Sequence, residues 1–360
     1  MDPMEVWMDN PKLKDYFDDL NDYKKIEIIG NEIISKSAEQ CGIKPMQIAH
    51  RIKAPDSVAE KLIRKSDKYS CTKDLMDVVG FRVICYFSDQ VDLFAEQLAK
   101  NLDVDPNQST DKRKLIEANS FGYLSLHYIC SLPKSDSYPD RLCEYKFEIQ
   151  IRTVLQHTWA EIEHDLGYKT EFGVPREARR NFSRIAGLLE IADQGFVDIK
   201  KNLAEYNKLV EEKIHSDEVR SVNIDLISLR VFAKHSEKMI KLNEDIAAIS
   251  GAVIIASSVE PFIEKLDFFG IKKIGELIDA LDSEREHIMT LAREILTDSE
   301  VEELTSTVGL YYLCRALLVW GDYNEEQLNE FYKIIIDDEK KRNVRIKRIL
   351  RQREKYKASV

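Results

Sequence analysis

Apolar residues recur at helical spacing near the start of the chain: Leu13, Phe17 and Leu20, then Ile26, Ile29, Ile33 and Ile34. Two helices are predicted across residues 1–45. A further helix start is predicted near Asp56 or Ser57, both good caps just after Pro55. The run from Val78 to Phe87 (Val-Val-Gly-Phe-Arg-Val-Ile-Cys-Tyr-Phe) is β-branched and aromatic, the clearest strand in the chain. Val91 to Leu102 reads as an amphipathic helix, and residues 103–118 as a polar loop. A second strand is predicted from about Tyr123 to Leu132 and a third from about Glu144 to Thr153, with Pro133 and Pro139 in the turn between. A helix from Val154 to about Tyr168 would carry Leu155, Trp159, Ile162 and Leu166 on one face. Strands and helices thus interleave through residues 50–170, an α/β pattern.

After Gly173 and Pro175 the pattern turns helical. One long helix is expected over 176–215, then helical pieces through 216–336 punctuated by Gly251, Pro261, Gly270 and Gly309. The expected organisation is N-terminal helices over 1–45, an α/β domain over 46–175, and an all-α region over 176–360 that ends in a basic tail. From Glu339 to Lys357 there are ten Lys or Arg against two Glu. Val344, Ile346, Ile349 and Leu350 are interleaved with them, so the tail reads as a solvated helix end or as a helix paired with the same protein. The alternative is contact with RNA, a ribosome or an acidic neighbour.

Composition narrows the class. The 360 residues are 44% hydrophobic and 32% charged, enough apolar material for a substantial core. With 53 basic and 64 acidic side chains the net charge is −11, which argues against a general duplex-DNA binder. The six cysteines form no CxxC pair. Cys85, Cys130 and Cys143 fall in or beside apolar runs and read as small buried hydrophobes, as in a reduced compartment. The start lacks a signal-peptide pattern, and the longest apolar stretch, Ile246 to Val259, is too short and polar to span a bilayer. A cytoplasmic protein without a membrane partner is expected.

Candidate chemistry lies on the predicted strands. Side chains alternate across a strand, so Glu148, Gln150 and Arg152 share one face of the third, opposite Phe147, Ile149 and Ile151. Tyr123, Ser125 and His127 share a face of the second. Asp77 and Arg82 flank the start of the first. A solvated sheet face would look the same strand by strand; co-occurrence is what matters. Two carboxylates, a basic cluster from Arg51 to Lys73 and an aromatic–histidine pair make a parts list for a metal-dependent phosphoryl or nucleotidyl transferase. Neither GxxxxGK[ST] nor GxGxxG occurs, so P-loop and Rossmann binding are not supported. His157, Glu161 and His164 fall on one helix face, a spacing that can ligate zinc and equally suits an active-site wall.

Taken together, these stretches resemble the RelA/SpoT family of (p)ppGpp synthetases, above all the small alarmone synthetases. The stretches are Arg51-Ile52-Lys53 with Lys61, Arg64 and Lys65; Asp77 through Cys85; Gly122-Tyr123-Leu124-Ser125-Leu126-His127; and Glu148 through Thr153 leading into His157, Trp159-Ala160-Glu161-Ile162-Glu163-His164 and Tyr168-Lys169. The resemblance covers roughly residues 45–170 and leaves out the helical C-terminal half. It implies a nucleotidyltransferase-like mixed sheet flanked by helices, and a GTP pyrophosphokinase that moves pyrophosphate from ATP to the 3′-hydroxyl of GDP or GTP with Mg²⁺. It also implies roles. Arg51 and Arg82 would sandwich the adenine, and Lys53, Lys61 and Arg64 would hold the ATP phosphates. Asp77 and Glu148 would bind Mg²⁺, with Glu148 also taking the acceptor's proton and His127 near the phosphates. Tyr123 would stack on the guanine, with Gln150, Arg152 and His157 along the acceptor side.

The chain departs from the family at two positions of the acceptor loop. Asn119 stands where a lysine is usual and Leu124 where Arg or Gln is common, while Lys112, Arg113 and Lys114 lie a little earlier. Some relatives of this fold pyrophosphorylate the 3′ end of tRNA, which makes that the second reading; a catalytically silent nucleotide-binding regulator is the third. The pair His164-Asp165 is similar to the His-Asp of the family's hydrolase domain but sits inside the synthetase-like helix, so no alarmone hydrolase is expected. A homo-oligomer fits the helical half, as do regulation and partner binding.

Overall fold

The computed structural model describes residues 13–115, 125–168, 175–214, 216–297 and 299–357. The chain divides into two compact units, Met1–Lys200 and Lys201–Val360. A 38-residue helix, Arg176–Lys213, contains the dividing point, well past the change of character at Gly173.

The first unit is built on a six-stranded mixed sheet. Its strands are β1 (Gln47–Ile52), β2 (Val79–Cys85), β3 (Asp103–Val104), β4 (Thr110–Asp111), β5 (Leu126–Ser131) and β6 (Phe147–Thr153). They lie in the order β1-β2-β6-β5-β3, with β4 paired to β5 off that path. β2 and β6 run parallel in the middle; every other pair is antiparallel. The apolar alternation of the sequence sorts onto one face. Phe81 and Val83 of β2, Phe147, Ile149 and Ile151 of β6, and Leu126 and Cys130 of β5 are all buried there.

Helices Leu20–Gln40 and Ser88–Asn101 cover that face, with Ile26, Ile34, Phe94 and Leu98 wholly buried. The approach is close at Gly30, where an added Cβ would lie 2.5 Å from Cζ of Phe81. Phe81 meets Phe147 edge-on, ring centroids 5.6 Å apart. The opposite face carries the alternate, polar residues. Helix Val154–Tyr168 packs at one end of the sheet and is tied to the helix Arg176–Lys213 by Trp159, whose indole N–H donates to the Phe182 carbonyl at 3.1 Å.

Three features differ from the sequence pattern. β1 has no strand signature, because an edge strand leaves Gln47, Ala49 and Arg51 on the polar face and only Ile48 and Ile52 against the core. The loop at 103–118 contains two short strands and a turn of helix, Lys112–Leu115. On helix Val154–Tyr168 the expected apolar face is only partly used: Trp159 is buried, while Ile162 and Leu166 are exposed. Tyr123 and Leu124, expected to begin the second strand, lie outside the described residues.

The second unit is helical, with one short parallel pair, β7 (Val253–Ile255) and β8 (Glu303–Thr305). Helix Val308–Trp320 is its centre; Leu310, Leu313 and Ala316 are fully buried. The basic tail forms helix Glu339–Lys357 and docks within the unit, burying Ile346 and Ile349. Arg353 donates to the carbonyls of Leu318 and Tyr323, and Lys355 pairs with Glu294 at 2.6 Å. Those bonds match the reading of a helix paired with the same protein. Among the described residues no helix is long and apolar enough to cross a membrane. All six cysteines are unbridged, and Cys85, Cys130, Cys143 and Cys314 are buried.

Candidate functional site

Strand register assembles the site. Across the sheet, Arg51 of β1 lies opposite Gly80 of β2, and Gly80 opposite Glu148 of β6. In the next row on the same face, Ala49, Arg82, Gln150 and His127 lie side by side. Asp77 precedes β2 and Lys53 follows β1, joined where the Lys53 N–H donates to the Val78 carbonyl at 2.7 Å. Arg51, Asp77, Gly80, Arg82, Glu148 and Gln150 therefore line one cleft. A Cβ on Gly80 would meet nothing within 4 Å, so that position leaves room between Arg51 and Glu148.

Glu148 is held at both oxygens. His127 Nδ1–H donates to Oε1 at 2.8 Å, and the Gln150 amide donates to Oε2 at 2.9 Å. His127 Nε2 lies 2.6 Å from the hydroxyl of the fully buried Ser125. Arg152 donates in turn to the Gln150 carbonyl oxygen, which fixes the orientation of that amide. Burial and the nearby Asp77 carboxylate push the Glu148 pKa up. The His127 and Gln150 hydrogen bonds outweigh them, so it sits below its usual value.

Asp77 shows the same balance with different partners. Lys53 and Lys61 donate to its Oδ2 at 2.5 and 2.7 Å. Burial raises its pKa, but the two ammonium groups prevail and hold it below the ordinary carboxylate value. Burial pulls the Lys53 ammonium down, helped by Lys61 and Arg51 and opposed by Asp77. The other Asp77 oxygen, Oδ1, is buried with no hydrogen-bond partner among the described residues. An ionised oxygen left without a donor, beside a second ionised carboxylate and an open Gly80, suits a hard divalent cation. Among the described residues no three His, Cys, Asp or Glu side chains converge on a metal position, so two carboxylates are what this cleft offers.

The remaining candidates spread around this centre. Arg51 is exposed at the cleft edge, and Arg64 is exposed three residues beyond Lys61. Arg82 donates to Glu161 at 2.8 Å, and Glu161 lies 3.6 Å from His157. Burial, with Arg152 and Arg82 adding repulsion, lowers the His157 pKa, so this imidazole is neutral near pH 7. Tyr123 lies outside the described residues, as do Asn119 and Gly122.

Two contributors were only half legible in the sequence. Glu161 stands out by its spacing of four from His157, but its partner Arg82 is 79 positions away. Lys112 starts the helical turn after β4, its N–H bonded to the Ser125 carbonyl at 3.0 Å. Its pKa is lowered by burial and by Arg152 against the pull of Glu148 and Glu163, which puts a lysine charge near the catalytic candidates. Its neighbour Arg113 is instead engaged by Asp111 and Asp92.

Residues 50–172 match the family described as a region found in RelA / SpoT proteins. The GTP pyrophosphokinase YwaC of Bacillus subtilis (strain 168) is 30% identical over 157 residues, 42% of this chain and 72% of the relative. The GTP pyrophosphokinase YjbM of the same organism is 28% identical over 159 residues, 44% of this chain and 73% of the relative. Among solved structures, small alarmone synthetase 2 from Bacillus subtilis shares 28% identity, covering 52% of this chain and 99% of its own, with a TM-score of 0.45. Small alarmone synthetase 1 from Bacillus subtilis, bound to its product pppGpp, shares 25% identity over 53% of this chain and 99% of its own, with a TM-score of 0.44.

Proposed function

Because this chain belongs to the RelA/SpoT family, whose matched relatives are GTP pyrophosphokinases, we propose that it transfers pyrophosphate from ATP to the 3′-hydroxyl of GDP or GTP, giving (p)ppGpp and AMP. The observation that carries this reading is the cleft itself. Asp77 and Glu148, 71 positions apart by their numbering, line it together with Arg51 and Arg82.

In the proposed reaction the 3′-oxygen bonds to the β-phosphorus of ATP as the bond from that phosphorus to the AMP oxygen breaks. The hydroxyl proton goes to Glu148. Such transfers have loose transition states in which little proton removal is needed, so a carboxylate with a lowered pKa serves, provided it is oriented. His127 and Gln150 supply that orientation, and Ser125 holds His127. Lys53 and Lys61, fixed by Asp77, together with Arg64 offset charge on the ATP phosphates. Arg51 and Arg82 take the two faces of the adenine, which requires Arg82 to loosen its bond to Glu161. Gln150, Arg152 and His157 line the acceptor side, with Tyr123 stacking on the guanine. Asp77 Oδ1 and Glu148 would hold Mg²⁺, which supplies charge neutralisation across the β- and γ-phosphates when bound.

The test is an acceptor panel. Purified protein with γ-labelled ATP is offered GDP, GTP or deacylated tRNA. Label in the guanosine nucleotide is expected, falling by about 10²–10⁴ in Glu148→Gln. Label confined to tRNA would replace this reading with a tRNA 3′-end transferase. No transfer to any acceptor would favour a nucleotide-binding regulator.

A further inference from the structure

The second unit holds a cavity of about 290 Å³ that the synthetase reading does not use. It lies between helices Glu260–Phe268, Val308–Trp320, Glu325–Lys333 and the basic tail helix. Its walls are mostly aliphatic and aromatic, and four cations reach it: Lys265, Arg315, Arg345 and Arg348. Among the described residues no aspartate or glutamate lines it.

The charges are poorly compensated from within. Among the described residues, none of the four forms an ion pair with a carboxylate. Lys265 instead lies over the Phe262 ring, 4.5 Å from its centroid, and burial lowers its pKa. Arg315 is 8% exposed; it donates to the Tyr311 hydroxyl and to Gln352, while its buried Nε has no partner among the described residues. Glu294, whose carboxylate feels Arg315, is already bonded to Lys355 and Tyr356 at 2.6 and 2.5 Å. Arg345 and Arg348 stand exposed at its mouth, but Lys265 and Arg315 are drawn out of water, which is costly unless an anion joins them. It is the more telling in a chain of net charge −11.

We propose that this cavity is a binding site for a small anion with a flat apolar body. Its phosphate or carboxylate would meet Lys265, Arg315, Arg345 and Arg348, and its ring would lie against Tyr311 and Tyr332. The tail's charge thereby gains a use: Arg353 and Lys355 anchor the helix, and Arg345 and Arg348 face the ligand.

The probe is 1-anilinonaphthalene-8-sulfonate, an anion on flat rings, added to the full-length protein and followed by fluorescence. Saturable binding of one probe per chain is expected. Losing two charge-assisted contacts in Arg345→Gln/Arg348→Gln should weaken it by roughly tenfold or more. Both arginines are exposed, so the melting temperature should hold. Lys265→Met should weaken the probe as well. Uncharged N-phenyl-1-naphthylamine should bind far less tightly. Displacement by AMP would point to a phosphate ligand and displacement by 2-naphthoate to a carboxylate. The proposal is overturned if the double variant binds the probe as wild type does, if the uncharged probe binds equally, or if neither competitor displaces it.

Discussion

Glu148 receives hydrogen bonds from His127 and Gln150, so its rotamer is set before any substrate arrives. Gly80, beside it in register, matters for what it lacks. Gly80→Val would add a side chain into open space on a strand, where β-branched residues fit well. The variant should melt at or above the wild-type temperature yet lose ATP binding, seen as a raised KM or no turnover; unchanged kinetics would show that this space is not the nucleotide's. His157 gives a pH signature. Its folded pKa lies below the ordinary 6.5, so the unfolded chain binds the proton more readily. The associated stability is complete above that value and is lost as pH falls through the folded pKa. Denaturant titrations of His157→Gln should therefore show a flatter decline than wild type as pH falls below the ordinary imidazole value.

At the scale of elements, the site depends on how near helix Leu20–Gln40 comes to the sheet. Gly30 allows the Phe81 ring to sit under the helix, and Phe81 is the residue between Gly80 and Arg82. Gly30→Ala sets two effects against each other. Alanine favours the helix by roughly 1 kcal/mol. Overpacking a closed core costs about 1–3 kcal/mol. A contact of 2.5 Å to a ring buried to 2% exposure leaves little room to relax, so packing should prevail. A lower urea midpoint with an unchanged slope is expected; a higher midpoint would mean the helix retreats freely.

At the scale of the whole molecule, the family resemblance and its match at 50–172 concern the first unit, while the second carries its own core. The basic tail belongs structurally to that core. Ile349→Ala, at 1% exposure, should cost about 2–5 kcal/mol, read from unfolding of the full chain. Lys347→Gln on the exposed side of the same helix should stay within about 0.5 kcal/mol of wild type. Equal, negligible effects would describe a solvated arm instead of a docked helix.

Much of this was written locally. The alternation of Phe147 to Arg152 placed Glu148, Gln150 and Arg152 on one face, and β-branched runs marked β2 and β6, because period-2 patterning and burial on one side are properties of a single strand. The long helix from Arg176 was legible because few breakers interrupt the chain after Gly173 and Pro175, again a local property. What the chain order could not convey were relations between segments. β1 lay hidden because an edge strand facing a polar cleft has little apolar signal. The Asp77 link to Lys53 and Lys61, the Arg82–Glu161 pair and the His127–Glu148 bond arise only once the register sets distant residues side by side. The tail was ambiguous for a similar reason: apolar residues among ten cations specify a helix with two faces, and only the core waiting to receive Ile346 and Ile349 decides which face is buried.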